Sequence, residues 1–297
     1  MRSIAGAKGD LSLAALATLC LALAGFNLFK NSHASIDRMQ PGSERHARMS
    51  EQVSIRASAR GNPWMNLSDG RDLVTDFEGP DKLVRALELN HARPLALASA
   101  DFDEDGVPDL VTSYETSEGG LITLHRGNID SIYSNTAEAR RRRAEGRFTD
   151  APFLSPASVF VVSQTPDFMG AGDFDGDSHW DVVVARGGGT ALSLMSGDGR
   201  GGLSESKAVE LPGEVTALVT GEMNRRDGLD DVVVAVRGRE GAKALVFEGP
   251  EGALRAAPET IGLPGEAASL ALGQMDSSYE MDLAVAAGTE LMIIHGR

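Results

Sequence analysis

From residue 93 onward, short apolar runs alternate with polar loops, and the runs are rich in β-branched residues rather than spaced at the helical period. One order recurs four times. A short apolar strand leads into an acidic loop, a β-branched strand leaves the loop, and a turn rich in glycine returns the chain into a third apolar strand. The first copy predicts strands over residues 95–100, 110–114 and 121–125 around the loop 101–109, with the turn at Gly119-Gly120. The second predicts strands over 168–172, 182–185 and 191–195 around the loop 173–181. The third runs through 215–221, 232–236 and 244–247, and the fourth through 268–273, 283–287 and 291–294.

The last loop carboxylates, Asp109, Asp181, Asp231 and Asp282, stand 72, 50 and 51 residues apart. A period near 50 matches one four-stranded propeller blade. Outer fourth strands are expected at segments such as 207–211 and 259–263. The expected fold is therefore all-β, a β-propeller of four-stranded blades with about four repeats. The first interval is longer by a stretch placed at 131–150, a short helical excursion carrying Arg140-Arg141-Arg142-Arg143. Such a run reads as a solvated face in preference to a docking patch. The fourth repeat reaches only its third strand. Either an N-terminal segment supplies the missing strand and closes a ring, or the repeats are part of a longer propeller; an open arc would leave two bare edges.

Ahead of the repeats the pattern changes. Arg2 and Lys8 precede an apolar run from Leu11 to Phe29, and Ser32-His33-Ala34 follows as a small-x-small tripeptide. This is the layout of a secretory signal peptide cleaved after Ala34, and the run is also long enough to remain as a membrane anchor. Cys20 does not suit lipid attachment, because bulky Leu19 precedes it. The domain reading is residues 1–34 as signal peptide or anchor helix, 35–92 as linker or N-terminal extension, and 93–297 as the repeats. Within the linker, residues 81–89 carry Leu83, Val84, Leu87 and Leu89 at helical spacing and predict a short amphipathic helix.

The acidic loops carry the candidate chemistry. Asp101, Asp103, Asp105 and Asp109 stand at positions one, three, five and nine of the first loop, and Asp173, Asp175, Asp177 and Asp181 at the same positions of the second. Alternate residues of a tight loop converge, and position seven, here Val107 and His179, offers a backbone carbonyl. Four carboxylates so close repel one another without a cation. Calcium, a hard ion taking six to eight oxygens, fits this donor set. An EF-hand is excluded, because position twelve is Thr112 or Val184 where a glutamate is needed, and the flanks are strands. The third loop (Glu222, Asn224, Asp227, Asp231) has an inserted residue. The fourth (Gln274, Asp276, Ser278, Asp282) keeps two carboxylates, so weak or absent metal binding is expected in both.

The segment from Phe168 to Asp177 with Asp181-Val182-Val183-Val184, and the segment from Ala98 to Asp109 with Leu110-Val111, resemble the FG-GAP/VCBS repeat family. The resemblance covers about residues 93–297. It implies integrin-α-like propeller blades with calcium between the first two strands of a blade, and an exported role in adhesion or ligand binding. The third and fourth loops depart from the pattern.

Composition narrows the functions. The net charge of −15 argues against nucleic acid as a partner. The single cysteine lies in the N-terminal apolar run, which removes disulfides, thiol catalysis and cysteine zinc sites from the repeats. The six histidines show no metal-binding spacing, and no G-x-S-x-G elbow is present. Trp180 is expected in the blade core, with sugar stacking as its alternative role. The expected function is a non-enzymatic, calcium-binding propeller, secreted, periplasmic or at the cell surface, that presents a surface for protein or carbohydrate. It would touch a membrane only through an uncleaved N-terminal segment. The alternative is an accessory or catalytic domain of an extracytoplasmic carbohydrate-active enzyme.

Overall fold

Each acidic loop turns the chain between two antiparallel strands, and the second strand begins on the loop's last aspartate. Asp109 pairs with Ala100, Asp181 with Gly172, Asp231 with Gly221 and Asp282 with Gly273. The computed structural model describes residues 54–56, 64–66 and 73–297, apart from 224–227, 250, 279 and 297. Ser54–Arg56 (β1) and Trp64–Asn66 (β2) form an antiparallel pair in a unit separate from the one that begins at Leu73. From Leu73 the chain is an all-β, four-bladed propeller.

Blade one contains Phe77–Glu78 (β3), Arg93–Ala100 (β4), Asp109–Thr116 (β5), Gly119–His125 (β6) and Ala157–Val162 (β7), in the order β3-β7-β6-β5-β4. Blade two is Phe168–Gly172 (β8), Asp181–Ala185 (β9), Ala191–Gly197 (β10) and Leu203–Glu210 (β11). Blade three is Glu214–Gly221 (β12), Asp231–Gly238 (β13), Gly241–Phe247 (β14) and Glu259–Gly262 (β15). Blade four has three strands among the described residues: Ala267–Gly273 (β16), Asp282–Ala287 (β17) and Glu290–Ile294 (β18). Neighbouring blades meet along their first strands, β4 on β8, β8 on β12 and β12 on β16. Gly170 permits one such approach, since a Cβ there would lie 2.3 Å from the Thr220 methyl.

The unbroken β-branched runs follow from burial on both faces. Val182 and Val184 point toward blade one, against Val111, Ile122 and Leu124. Their neighbours Val183 and Ala185 point the other way, against Val232, Val234 and Leu245 of blade three. A third core joins Val233, Ala235 and Val246 to Leu283 and Val285 of blade four. The predicted helix is present as Asp81–Glu88 (α1). Its Leu83 and Leu87 bury against Leu121 and Val159, on the side of blade one turned away from blade two. Among the described residues, blade four's corresponding far face has no such cover: Leu291 is 74% exposed and Ile293 41%.

The predicted excursion forms Ile129–Ile132 (α2) and Ala137–Ala144 (α3), whose N-termini are capped by the Asn128 and Thr136 side chains. Arg142 pairs with Asp130, and Arg143 lies 3.8 Å over the Phe148 ring, while Arg140 and Arg141 face solvent. The signal peptide or anchor expected at 1–34 lies outside the described residues. No helix among the described residues is long and apolar enough to cross a membrane.

Candidate metal centres

The two intact loops are built alike. The first-position aspartate accepts backbone N–H groups from the far side of its own loop. Asp101 takes them from Asp105 (3.0 Å) and Gly106 (2.9 Å), and Asp173 from Gly176 (2.7 Å), Asp177 (3.2 Å) and Ser178 (2.9 Å). The fifth-position residues Asp105 and Asp177 each accept the N–H two residues on, from Val107 and His179 (both 2.9 Å). The ninth-position aspartate ties the loop to the rest of its blade. Asp109 accepts from Phe102 (2.9 Å) and Gly127 (2.6 Å), and Asp181 from Phe174 (3.0 Å) and Gly197 (2.9 Å). Second-position Phe102 and Phe174 are plugs in the blade cores, 2% and 0% exposed.

Backbone dihedrals resolve an irregularity of the sequence. Glycine stands at position six in the first loop and at position four in the second, yet both positions are left-handed in both loops. Glu104 and Gly106 have φ of 55° and 87°, Gly176 and Ser178 of 75° and 73°. Each loop thus holds one glycine and one strained non-glycine residue.

Third-position Asp103 and Asp175 differ from the other carboxylates. Neither binds a loop N–H. Asp103 pairs through Oδ2 with Arg126, and Asp175 accepts through Oδ2 from the Ser196 hydroxyl (2.9 Å). Their other oxygens, Asp103 Oδ1 and Asp175 Oδ1, are buried without a hydrogen-bond partner, and the Asp103 side chain is only 4% exposed. A buried carboxylate oxygen left unmatched carries a large desolvation cost. In each loop the third-position carboxylate lies within reach of two further carboxylates. One oxygen each of Asp101, Asp103 and Asp109 lie within 4.8 Å of one another, as do those of Asp173, Asp175 and Asp181. Asp105 and Asp177 stand outside these triads.

The electrostatics agree with the crowding. Burial raises the Asp109 pKa to about 6 and the Asp181 pKa to about 7, aided by Asp103 in the first loop and by Asp175 and Asp177 in the second. Asp105 is raised too, by burial and by its neighbours Asp103 and Asp101. A cation is the natural counter-charge, and three oxygen donors with an orphaned buried oxygen could hold a divalent metal ion. Carboxylate oxygens that already accept one N–H keep a lone pair for the ion. A positive charge at such a cluster, whether a bound cation or a side chain, would offset its repulsion and fix the loop to the second strand.

Sequence reasoning missed a third cluster. Asp276, Asp282 and His295 bring ligand atoms within 4.8 Å, with His295 Nδ1 3.0 Å from Asp276 and 3.2 Å from Asp282. The fourth loop, which lacks a first-position acid, thus gains a side chain from the end of β18. A signal was available: His295-Gly296 holds the same register place as Arg126-Gly127 and Ser196-Gly197.

His179 projects from the second loop onto Glu104 of the first, with 2.6 Å between Nδ1 and the carboxylate, and this bond raises the His179 pKa. Trp180 beside it is 37% exposed. It lines a cleft of about 360 Å³ with Asp173, Ser178, His179 and, across the gap, Gly228 to Asp230. His125 is buried between Phe77 and Phe153, which holds its pKa down.

No family model matches the chain, and no curated protein matches it in sequence. Among solved structures, BBS1N in complex with ARL6DN is similar. The form soaked with lead gives a TM-score of 0.42 at 14% identity over 76% of this chain and 60% of that one. The form soaked with mercury gives 0.43 at 15% identity over 76% and 57%. The match spans less than two thirds of either solved chain.

Proposed function

We propose that the protein is an exported, non-enzymatic propeller of the FG-GAP/VCBS type, stiffened by calcium and presenting its loop surface to a protein or carbohydrate. The observation that carries this reading is the pair of aspartate triads, each with a buried third-position oxygen that no hydrogen-bond partner among the described residues satisfies. Their placement between the first two strands of blades one and two supports a structural ion, because it joins the loop to the second and third strands of its blade. Export, proposed with it, would supply the ion: calcium outside the cytoplasm fills sites with dissociation constants of about 10⁻⁴–10⁻³ M. The apolar run at 11–29 is the only membrane contact this reading needs, and the acidity of the chain leaves no place for nucleic acid. The Trp180 cleft, with an aromatic face beside Asp173 and Asp230, has the make-up of a sugar or side-chain subsite.

Thermal unfolding with and without calcium tests the proposal. Calcium chloride is expected to raise the melting temperature, and Asp173→Ala with Asp175→Ala to remove the part of that rise due to the second loop. An unchanged melting temperature would overturn the metal assignment. A glycan panel tests the rest: binding without turnover is expected, and turnover would favour an enzyme.

A further inference from the structure

One register position recurs in all four blades. The residue at or just past the end of the third strand stands opposite the loop's ninth-position aspartate, and a glycine comes next: Arg126-Gly127, Ser196-Gly197, Glu248-Gly249 and His295-Gly296. In three blades that glycine donates its N–H to the ninth-position carboxylate, Gly127 to Asp109 (2.6 Å), Gly197 to Asp181 (2.9 Å) and Gly296 to Asp282 (3.3 Å). Glycine is needed for contact. A Cβ would lie 2.6 Å from the Pro108 carbonyl at Gly127, 2.1 Å from the Trp180 carbonyl at Gly197 and 2.4 Å from the Met281 carbonyl at Gly296. The backbone is pressed onto the loop, and the preceding side chain is delivered to the third-position carboxylate. Arg126 meets Asp103, Ser196 meets Asp175 at 2.9 Å, and His295 meets Asp276 at 3.0 Å.

We propose that this residue decides which loop takes calcium: Arg126 seats a tethered cation in the first loop, and neutral Ser196 leaves the second loop as the calcium site. The inference rests on the calcium reading above. The guanidinium already neutralises Asp103, whose side chain is almost wholly buried, so a calcium ion entering the same triad would meet a tethered positive charge at one of its buried ligands. The Ser196 hydroxyl donates to Asp175 without adding charge, and its oxygen lies beside the triad as a further neutral donor. The two loops share their carboxylates and left-handed positions, so the sequence of the loops alone does not separate them. The residue that does lies 17 positions after Asp109 and 15 after Asp181, at the end of the third strand.

The test counts calcium bound by the full chain in equilibrium dialysis against calcium chloride, with melting curves in EDTA and in calcium for every variant. Asp173→Ala is expected to remove one equivalent from the wild-type chain, and Asp101→Ala to remove none. Arg126→Ser is expected to gain one equivalent that Asp101→Ala then abolishes, to melt below wild type in EDTA because Asp103 loses its partner, and to recover in calcium. Arg126→Lys keeps the wild-type count, and Ser196→Arg loses one. Loss of an equivalent from wild type on Asp101→Ala, or an unchanged count in Arg126→Ser, would overturn this assignment and leave the calcium reading standing. No calcium bound by wild type or by Arg126→Ser would overturn the calcium reading itself.

Discussion

At the scale of single residues, the acidic loops combine strain with uncompensated charge, and both are measurable. Ser178 holds φ of 73° where its counterpart in the first loop is Gly106. Relief of a left-handed side-chain clash gains about 1–2 kcal/mol, and the greater freedom of glycine in the unfolded chain takes back about 0.4–1 kcal/mol. Ser178→Gly is therefore expected to stabilise the protein by about 0.5–1 kcal/mol in urea unfolding without calcium; a lower midpoint would contradict the strained geometry. The charge has a sign that pH reveals. Asp109 and Asp181 have folded pKa values raised to about 6 and about 7, above 3.8, so the folded chain holds more protons than the unfolded chain between about pH 4 and 7. Stability in EDTA should accordingly fall as pH rises through that window, by up to about 1.4 kcal/mol per pH unit for each such group. The lowered carboxylates, Asp130, Asp198, Glu240 and Asp276, act in the opposite sense, as pH falls below their ordinary range. Calcium requires ionised ligands and should flatten or reverse the slope between pH 4 and 7, and Asp181→Asn should reduce it in EDTA. An identical slope with and without calcium would exclude a cation at these triads.

At the scale of elements, the same register position serves opposite ends in different blades. Leu192 of β10 stands opposite Ala185, and Leu291 of β18 stands opposite Ala286, each pair on the face turned toward the next blade. Leu192 is 0% exposed beneath blade three, whereas Leu291 is 74% exposed. Leu192→Ala should cost about 2–5 kcal/mol and Leu291→Ala less than about 0.5 kcal/mol in denaturant titrations. Comparable losses would mean that blade four's outer face is covered in solution. This contrast also marks what the sequence discloses. The β-branched runs at 182–185 and 232–236 disclose strands buried on both faces, and each loop aspartate discloses where its second strand begins. Leu291 and Ile293 carry the same pattern, so the sequence cannot tell a covered blade face from an open one. Two-residue β3 was equally hidden, because its parallel partner β7 lies 80 residues away and no local period announces the pairing. The aspartates of the first two triads were legible because one spacing repeats. Arg126, Ser196 and His295 share only the glycine that follows each of them, because they belong to three chemical classes and reach their loops through the fold.

At the scale of the whole molecule, protection should follow the number of blades that flank each sheet. In β9 every residue is buried, and in β13 every residue from Asp231 to Val236, because these strands lie between two neighbouring blades. Blade one has a neighbour on one side and α1 on the other, where Leu83 and Leu87 meet Leu121 and Val159. Blade four packs on blade three through Leu283 and Val285, while Ala284 and Ala286 are only partly buried on its far face. A sheet with one free face loses fewer contacts when it opens, so it opens at a lower free energy than the sheets between two blades. Amide exchange in the full chain should therefore be slowest at 182–185 and 232–236 and distinctly faster at 283–287, with 110–114 between them. Replacing Leu83 and Leu87 by serine should drop 110–114 toward the rate of 283–287 and leave 232–236 unchanged, because α1 covers blade one alone. Equal protection at 283–287 and 232–236 would overturn this order and require a cover on the fourth blade. Added calcium should slow exchange chiefly around 173–185, where the second triad ties the start of β9 to its loop, and Ser196→Arg should remove that effect without altering the ranking of the blades.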